Sequence, residues 1–559
     1  LISVVFFLVF FLDSRYRVLP QSIHSHLPLH HEGLVITDIT VQTCSTINPL
    51  SKCKLDQDKW HQVDKDLYLG AGWSRGYVHI KRKREEELKD NDKVVIDVRT
   101  GKLDPAMGEK AQAAEKWESR AAGIWLKRSA KRGASDKKSV VTAVDVLFGP
   151  DAVEPRLGWE LVKPAALRLE TGGGNKEPRL SIRRGRPHKV EKPIPRIRKD
   201  GKFKIMQISD LHLSTGLGVC RDAEPNGANG GQCDADPRTL EFVERLVTEE
   251  RPDFVVLSGD QVNGETAPDV QSVSSPTSLL LYALLILSKA IFKITGLLAE
   301  HKLPYAAIFG NHDDEGALSR LTQMSLYDSL PFSLTEAGPN VVDGVGNYFV
   351  EILAHGANKH SALTLYFLDT HSYSPDKKKY DGYDWIKPNQ IAWFKTTAEQ
   401  LKDSHKHYTH THLDMAFIHI PLPEYVINDE QRKEIVGTLR EGVTAPRFNS
   451  GFKDALVETG IKTVSCGHDH ANDYCHMSKN PKNGDGELWM CYAGGSGFGG
   501  YGGYEGYHRG LRLFEIDTNQ ARISTWKRLE YGDIGRRLDE QIIVDSGKVV
   551  PPQSRDRKD

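Results

Sequence analysis

From residue 203 onward, short apolar runs alternate with segments whose apolar residues recur every three or four positions. FKIMQIS and DFVVLS read as strands, and TLEFVERLVTEE between them has helical spacing behind Asp236 and Pro237, so the three make a β-α-β unit. Further strands are predicted over 305–309, 362–368, 415–420, 462–465 and 488–492. The apolar stretch 278–298 is long enough to suggest a membrane span, but Lys289 and Lys293 interrupt one side of it. A helix packed on a sheet is the expectation there.

Residues 33–179 follow a different pattern. LVITDITV, YVHIKRK, KVVIDV, GIWLKR and VVTAVDVLF are short bursts parted by charged or Gly/Pro stretches, which predicts a β-rich domain, expected to be structural. Residues 180–202 are strongly basic and broken by Pro187, Pro193 and Pro195, and read as an exposed linker. Residues 203–529 then form an α/β domain, and 530–559 a disordered tail. At the other end, within the leader 1–32, residues 1–12 are an apolar run shorter than the roughly 20 residues a spanning helix needs. With Arg15 and Arg17 behind it, this run reads as the remnant of a membrane anchor whose body faces the cytosol. A plain cytoplasmic location is the neighbouring reading, and an endoplasmic-reticulum or secreted protein is the alternative.

Composition narrows the partners. Across 559 residues, 74 Lys+Arg against 75 Asp+Glu leave a formal net charge of −1, so nothing commits the chain to nucleic acid. Seven cysteines are too few for a dense disulfide framework. Cys44 with Cys53 and Cys220 with Cys233 are the nearest pairs, while Cys466, Cys475 and Cys491 read as buried packing residues. No Asn-x-Ser/Thr acceptor occurs, in keeping with the cytosolic reading.

Chemistry gathers after the strands of the α/β domain. SDLH (Asp210, His212), SGDQ (Asp260), FGNHDD (Asn311, His312, Asp313), FIHIP (His419) and CGHDH (His468, His470) each follow a predicted strand. Ligand-binding groups collect beyond the carboxyl ends of strands in open α/β sheets, so these residues are expected to converge in one crevice. Carboxylates, an amide oxygen and several imidazoles are a mixed N/O set suited to Fe, Zn or Mn, whereas Ca takes oxygen alone. Asp210 and His212 are two apart, as are His468 and His470, so in extended backbone each pair faces one side.

In this order the motifs resemble those of the calcineurin-like metallophosphoesterase superfamily, D-x-H, G-D, G-N-H-[DE], H and G-H-x-H, over residues 203–529. The Cys220 to Cys233 insertion, the KDGKFKI lead-in and GNHDDE are similar to its purple-acid-phosphatase-related branch. The β-rich front and apolar amino terminus are most similar to fungal dosage-dependent cell-cycle regulator phosphatases. The resemblance implies an α/β four-layer sandwich, two mixed sheets flanked by helices, holding two divalent or trivalent metal ions. It implies Asp210, His212 and His470 on one metal, Asn311, His419 and His468 on the other, and Asp260 between them. It also implies a phosphoryl-stabilising or proton-donating role for His312, with Asp313 orienting it. One departure stands out: purple acid phosphatases carry a metal-binding Tyr three residues after the bridging Asp, and this chain has Asn263, which argues against a purple ferric centre.

The implied activity is hydrolysis of phosphate monoesters, phosphoserine or phosphothreonine proteins in cell-cycle or unfolded-protein-response regulation among them. A phosphodiesterase on nucleotides or lipid head groups and a non-catalytic scaffold are the alternatives. The glycine-rich stretch 493–510 reads as a mobile rim whose Tyr501, Tyr504, Tyr507 and His508 shape the substrate pocket. The run SHKHYTHTH, with His405, His407, His410 and His412, reads as a solvated loop and only secondarily as an accessory metal site.

Overall fold

A computed structural model describes residues 34–552 apart from 49–50, 64, 70–72, 103–115, 131–138, 170–176, 226–232, 264–287, 317–318, 358, 406–409 and 503–506. The chain divides into two compact units, Leu1–Lys189 and Val190–Asp559. The anchor expected over residues 1–12 lies outside the described residues. Among those described, no helix is long and apolar enough to cross a membrane.

The front unit is built from β-strands, as the bursts of apolar residues predict. Its strands are β1 (Leu34–Ser45), β2 (His61–Gln62), β3 (Ser74–Arg84), β4 (Lys93–Thr100), β5 (Trp117–Ser119), β6 (Ile124–Ala130), β7 (Val141–Phe148), β8 (Trp159–Leu161) and β9 (Pro178–Arg184). They form three antiparallel sheets with one repeated order, β1-β3-β2, β4-β6-β5 and β7-β9-β8, and β1, β4 and β7 lie against one another. Val35, Ile39, Val95, Ile124, Leu126, Val146 and Leu180 are buried in it. β9 takes up the first residues assigned to the linker, because Leu180 and Ile182 pair with β7 and are buried.

The second unit holds two mixed sheets. Strands β10 (Lys202–Ile208), β11 (Phe254–Ser258) and β12 (Tyr305–Ile308) run parallel. Between the first two comes helix α1 (Ala235–Glu250), and before the third α2 (Ser288–Glu300), within the apolar stretch expected to be helical. The other sheet contains β13 (Tyr348–Leu353), β14 (Ser361–Phe367), β15 (Met415–Phe417), β16 (Thr463–Cys466), β17 (Cys475–Lys479) and β18 (Gly486–Tyr492), in the order β13-β14-β15-β16-β18-β17. Then β19 (Gly510–Asp517), β20 (Arg522–Leu529), β21 (Leu538–Asp545) and β22 (Lys548–Val549) extend the first sheet to seven strands, β12-β11-β10-β19-β20-β21-β22.

Alternation along the strands explains the layers. Phe203, Ile205, Phe254, Val256 and Phe514 of the first sheet pack on Leu363, Leu365, Phe367, Met415, Phe417 and Trp489 of the second, forming one core between the sheets. The outer face of the second sheet, with Tyr366, Ala416, Ile418 and Val464, is covered by α3 (Pro388–His405) through Phe394 and Ala398 and by α4 (Phe452–Thr459) through Phe452 and Leu456. α1 buries Phe242, Val243, Leu246 and Val247.

Two expectations need correcting here. Residues 530–552 are not a disordered tail, since LDEQIIVD alternates well enough for Gln541, Ile543 and Val544 to be buried against β20; charged neighbours hide that alternation in the sequence. Cys475 and Cys491 are not separate packing residues: they face each other across β17 and β18 and form a disulfide, leaving Cys466 buried as a thiol. The Cys44–Cys53 and Cys220–Cys233 pairs are also disulfides.

Candidate metal centre

Five loops leave the carboxyl ends of β10, β11, β12, β15 and β16 and bring the predicted ligands together. Asp210, His212 and His470 form one buried triad, Asp260, His419 and His468 another, with the donor atoms within each triad no more than 4.8 Å apart. Asp260 Oδ2 sits between them, 3.8 Å from His212 Nε2 and 3.3 Å from His419 Nε2, the position of a bridging carboxylate. Across the first triad His212 Nε2 and His470 Nε2 face each other at 3.1 Å.

The backbone that aims these side chains is unusual. Asp210, His212, Asp260 and His468 all have left-handed φ, at 55°, 46°, 51° and 80°. Such conformations cost about 1–3 kcal/mol each and persist only where the surroundings hold them. This corrects the extended-backbone reading of the D-x-H and H-x-H pairs, because the left-handed turns set their direction and His468 and His470 enter different triads.

Hydrogen bonds fix the imidazole tautomers. His419 Nδ1 lies 2.9 Å from the Ser258 carbonyl oxygen and His470 Nδ1 2.7 Å from that of Tyr501, so each Nδ1 donates outward and each Nε2 is turned toward the centre. Burial lowers His212 and His468 to about 3, which keeps both neutral. Burial would raise Asp210, but His470 and His419 hold it at about 2. His419 is the exception: burial lowers it, yet Asp260 and Asp210 outweigh that and raise it to about 9. A cation entering the second triad therefore displaces a proton from His419.

This donor set fits the expected cations. Both side-chain amide atoms of Asn311 and Nε2 of His468 are buried without a hydrogen-bond partner, an arrangement that is costly unless something else coordinates them. Two imidazoles with a carboxylate in each triad, plus the Asn311 amide oxygen, is the mixed set that Zn, Fe and Mn accept.

The remaining expected residues divide. His312 lies at the rim, its ring 5.5 Å from that of His212 and its backbone N–H donating to Asp260 Oδ1 at 2.8 Å. Its Nδ1 is 2.8 Å from Glu315, not from Asp313. Asp313 is buried and accepts the backbone N–H groups of Gly310, Asp260 and Val262 at 2.7–3.1 Å, so it ties two ligand loops together instead of orienting His312. Burial and the Asp260 charge push the Asp313 carboxyl up to about 7.

In its described residues the glycine-rich stretch is no mobile rim. Residues 491–500 are buried, and a Cβ on Gly497 would lie 1.9 Å from the Leu211 carbonyl oxygen, one on Gly500 2.5 Å from both His212 and His470. Tyr507 is buried with its hydroxyl within 2.9 Å of Gly495 N, and His508 sits beside Glu224 and Tyr531, so neither lines the pocket. Tyr504 lies outside the described residues. Tyr501 does line it, stacked on His470 at 4.0 Å.

The pocket over the triads is about 170 Å³ and is also lined by Arg221, Asn263, Tyr383 and Thr444. Tyr383 meets His468 edge-on at 4.3 Å. Arg221 follows the disulfide-bonded Cys220, with its N–H donating to the Phe498 carbonyl and its own carbonyl accepting from Arg509. Neither Arg221 nor Tyr383 stands in a motif, and only the nearby cysteine pair marks the first. Asn263, in the place of the tyrosine ligand, is in the pocket.

Comparison with known proteins identifies the family. The family model for calcineurin-like phosphoesterases matches residues 203–472. The chain is 37% identical over 421 residues to Phosphatase DCR2 of Saccharomyces cerevisiae, covering 73% of this chain and 68% of the yeast protein. It is 33% identical over 365 residues to a protein of Arabidopsis thaliana named probable inactive purple acid phosphatase 29, covering 62% of this chain and 85% of that one. A dimetal phosphatase structure from Danio rerio aligns over 61% of this chain and 99% of its own, at 10% identity and a TM-score of 0.38. Because the family match spans the segment that supplies every candidate ligand, and the yeast phosphatase is matched over more than two thirds of its length, this chain belongs to the calcineurin-like phosphoesterases and is a metal-dependent phosphatase.

Proposed function

We propose that the centre is binuclear and hydrolyses phosphate monoesters, and that the carrying observation is the pair of buried triads sharing Asp260 beneath a small pocket. When bound, two cations lower the pKa of a water to give hydroxide at neutral pH and offset charge on the phosphoryl oxygens. The chain's own residues do the rest. Burial disfavours charge on His312, but Asp260 and Glu315 hold its pKa above the ordinary histidine range, so it can carry a proton to the leaving oxygen. Arg221 is the residue at the rim that can grip non-bridging phosphoryl oxygens with a paired donor fork. Tyr383 and Tyr501 wall the pocket and restrict water.

Pocket size supports a monoester. At about 170 Å³ it is below the roughly 300–1,000 Å³ of common small-molecule sites, so it takes a phosphoryl group and leaves the alcohol outside. A phosphoserine or phosphothreonine protein suits that shape, and regulators of the cell cycle or the unfolded-protein response are the proposed substrates, following the fungal resemblance. For location, three disulfides favour an oxidising compartment, the endoplasmic-reticulum or secreted alternative, over a cytosolic body.

The test compares turnover of p-nitrophenyl phosphate and its bis ester by the full chain, with metal content measured on the same preparation and Asp260→Asn beside it. About two metals per chain and monoester turnover that falls at least ~100-fold in the variant are expected, on the scale of lost metal support. Preference for the bis ester would make the site a diesterase, and two bound metals with no turnover would make it a scaffold.

A further inference from the structure

His405, His412 and Asp414 sit at the far end of β15 from the catalytic centre. His405 is the last residue of α3, and His412 and Asp414 lead into β15, whose other end delivers His419. His405 and His412 are the two ends of the histidine run read above as secondarily an accessory metal site, and with Asp414 their side chains offer donor atoms within 4.8 Å of one another. The imidazoles of His405 and His412 lie face to face, their centroids 3.5 Å apart and their planes 18° off parallel, so one ring has to turn about its Cβ–Cγ bond before both in-plane lone pairs meet at a single ion.

Support around the cluster is of the kind metal ligands have. The Thr364 backbone N–H donates to Asp414 Oδ1 at 2.7 Å, pinning the carboxylate, and His412 Nδ1 lies 2.7 Å from the same oxygen, which turns its ring. Thr364 Oγ1 is 3.4 Å from His405 Nε2. All three residues are half-buried, so a cation there would be reachable yet partly shielded. Position adds to this, because the carbonyl end of a helix favours positive charge. Burial and the adjacent His412 lower His405 to about 4, so its ring is neutral and has a lone pair at physiological pH.

We propose that His405, His412 and Asp414 form a third metal site, separate from the catalytic pair, for a zinc-class divalent transition ion. Two imidazoles and one carboxylate suit Zn(II) or Co(II), with the fourth position left to water. Its role is a clip: the ion ties the end of α3 to the entry of β15, bracing from outside the strand that carries His419.

The test uses the full chain and ZnCl₂ as the probe. Wild type and a His405→Gln/His412→Gln variant are stripped with chelator, dialysed against Zn(II) and assayed for bound zinc, with p-nitrophenyl phosphate turnover and circular dichroism recording the fold. One more zinc per chain in wild type than in the folded variant is expected, together with a larger zinc-induced rise in Tm. Because the readout is a difference between two proteins with the same catalytic ligands, it stands whether or not the catalytic pair is loaded. Equal zinc content and equal Tm shifts would overturn the proposal. Should the double variant not fold, His405→Gln alone replaces it, and unchanged zinc content there has the same meaning.

Discussion

At the scale of single residues, the convergence of the candidate ligands was legible and the groups around them were not. Seven candidate ligands follow strands in short motifs, and a strand end fixes where a side chain emerges. Glu315 and Arg221 come from loops without any period, so only coordinates reveal that one faces His312 and the other the pocket. Hydrogen bonds to charged groups are worth about 1.5–3 kcal/mol, so Arg221→Ala should raise KM for p-nitrophenyl phosphate ~10- to 100-fold and change kcat less. Unchanged KM would remove Arg221 from substrate binding. For His312 the sign follows from its neighbours: Glu315 raises its pKa, so Glu315→Gln lowers it and moves the alkaline limb of the pH–rate profile to lower pH. An alkaline limb that stays in place in this variant would show that His312 is not the acid.

Among the elements, apolar runs marked β10, β11, β12, β14, β15, β16 and β18, because strands buried on both faces have little else in them. β21 was missed because charges occupy its exposed positions, and the glycine-rich stretch was misread because composition says flexible where packing says rigid. In that stretch the backbone itself backs the ligands, so any side chain is an intrusion. Gly500→Ala would press a methyl group against His212 and His470. Metal retention in the first triad should fall at least tenfold by equilibrium dialysis, about the loss that follows damage to a ligand's support, while circular dichroism stays native. Normal metal retention would mean the loop can withdraw. The same logic explains why Tyr507, held by Gly495, serves the loop and not the substrate.

For the molecule as a whole, stability and pH are linked through Glu250, where α1 ends against the first sheet. Burial disfavours its charge, but Arg528, Lys204 and Arg537 outweigh that and hold its pKa below 4.5, with Lys204 Nζ 3.2 Å away and Arg528 hydrogen-bonded. A depressed carboxyl stabilises the fold above its unfolded pKa and stops doing so as pH falls through the folded value. Glu250→Gln should therefore lower stability by ~2 kcal/mol at pH 7, with the gap to wild type closing as pH falls below the ordinary glutamate range in thermal melts. A gap independent of pH would assign the loss to packing alone. The α/β class could be read in advance from alternation, its layering from the family resemblance and the β-rich front from its bursts, but the threefold order of the front could not, since sequence pattern does not say which strand lies beside which. That order has its own consequence. A three-stranded motif is too small to shelter its apolar face alone, so each of the three supplies part of the others' interior. The front unit should accordingly behave as a keystone arch, in which no third can be cut away and leave two standing.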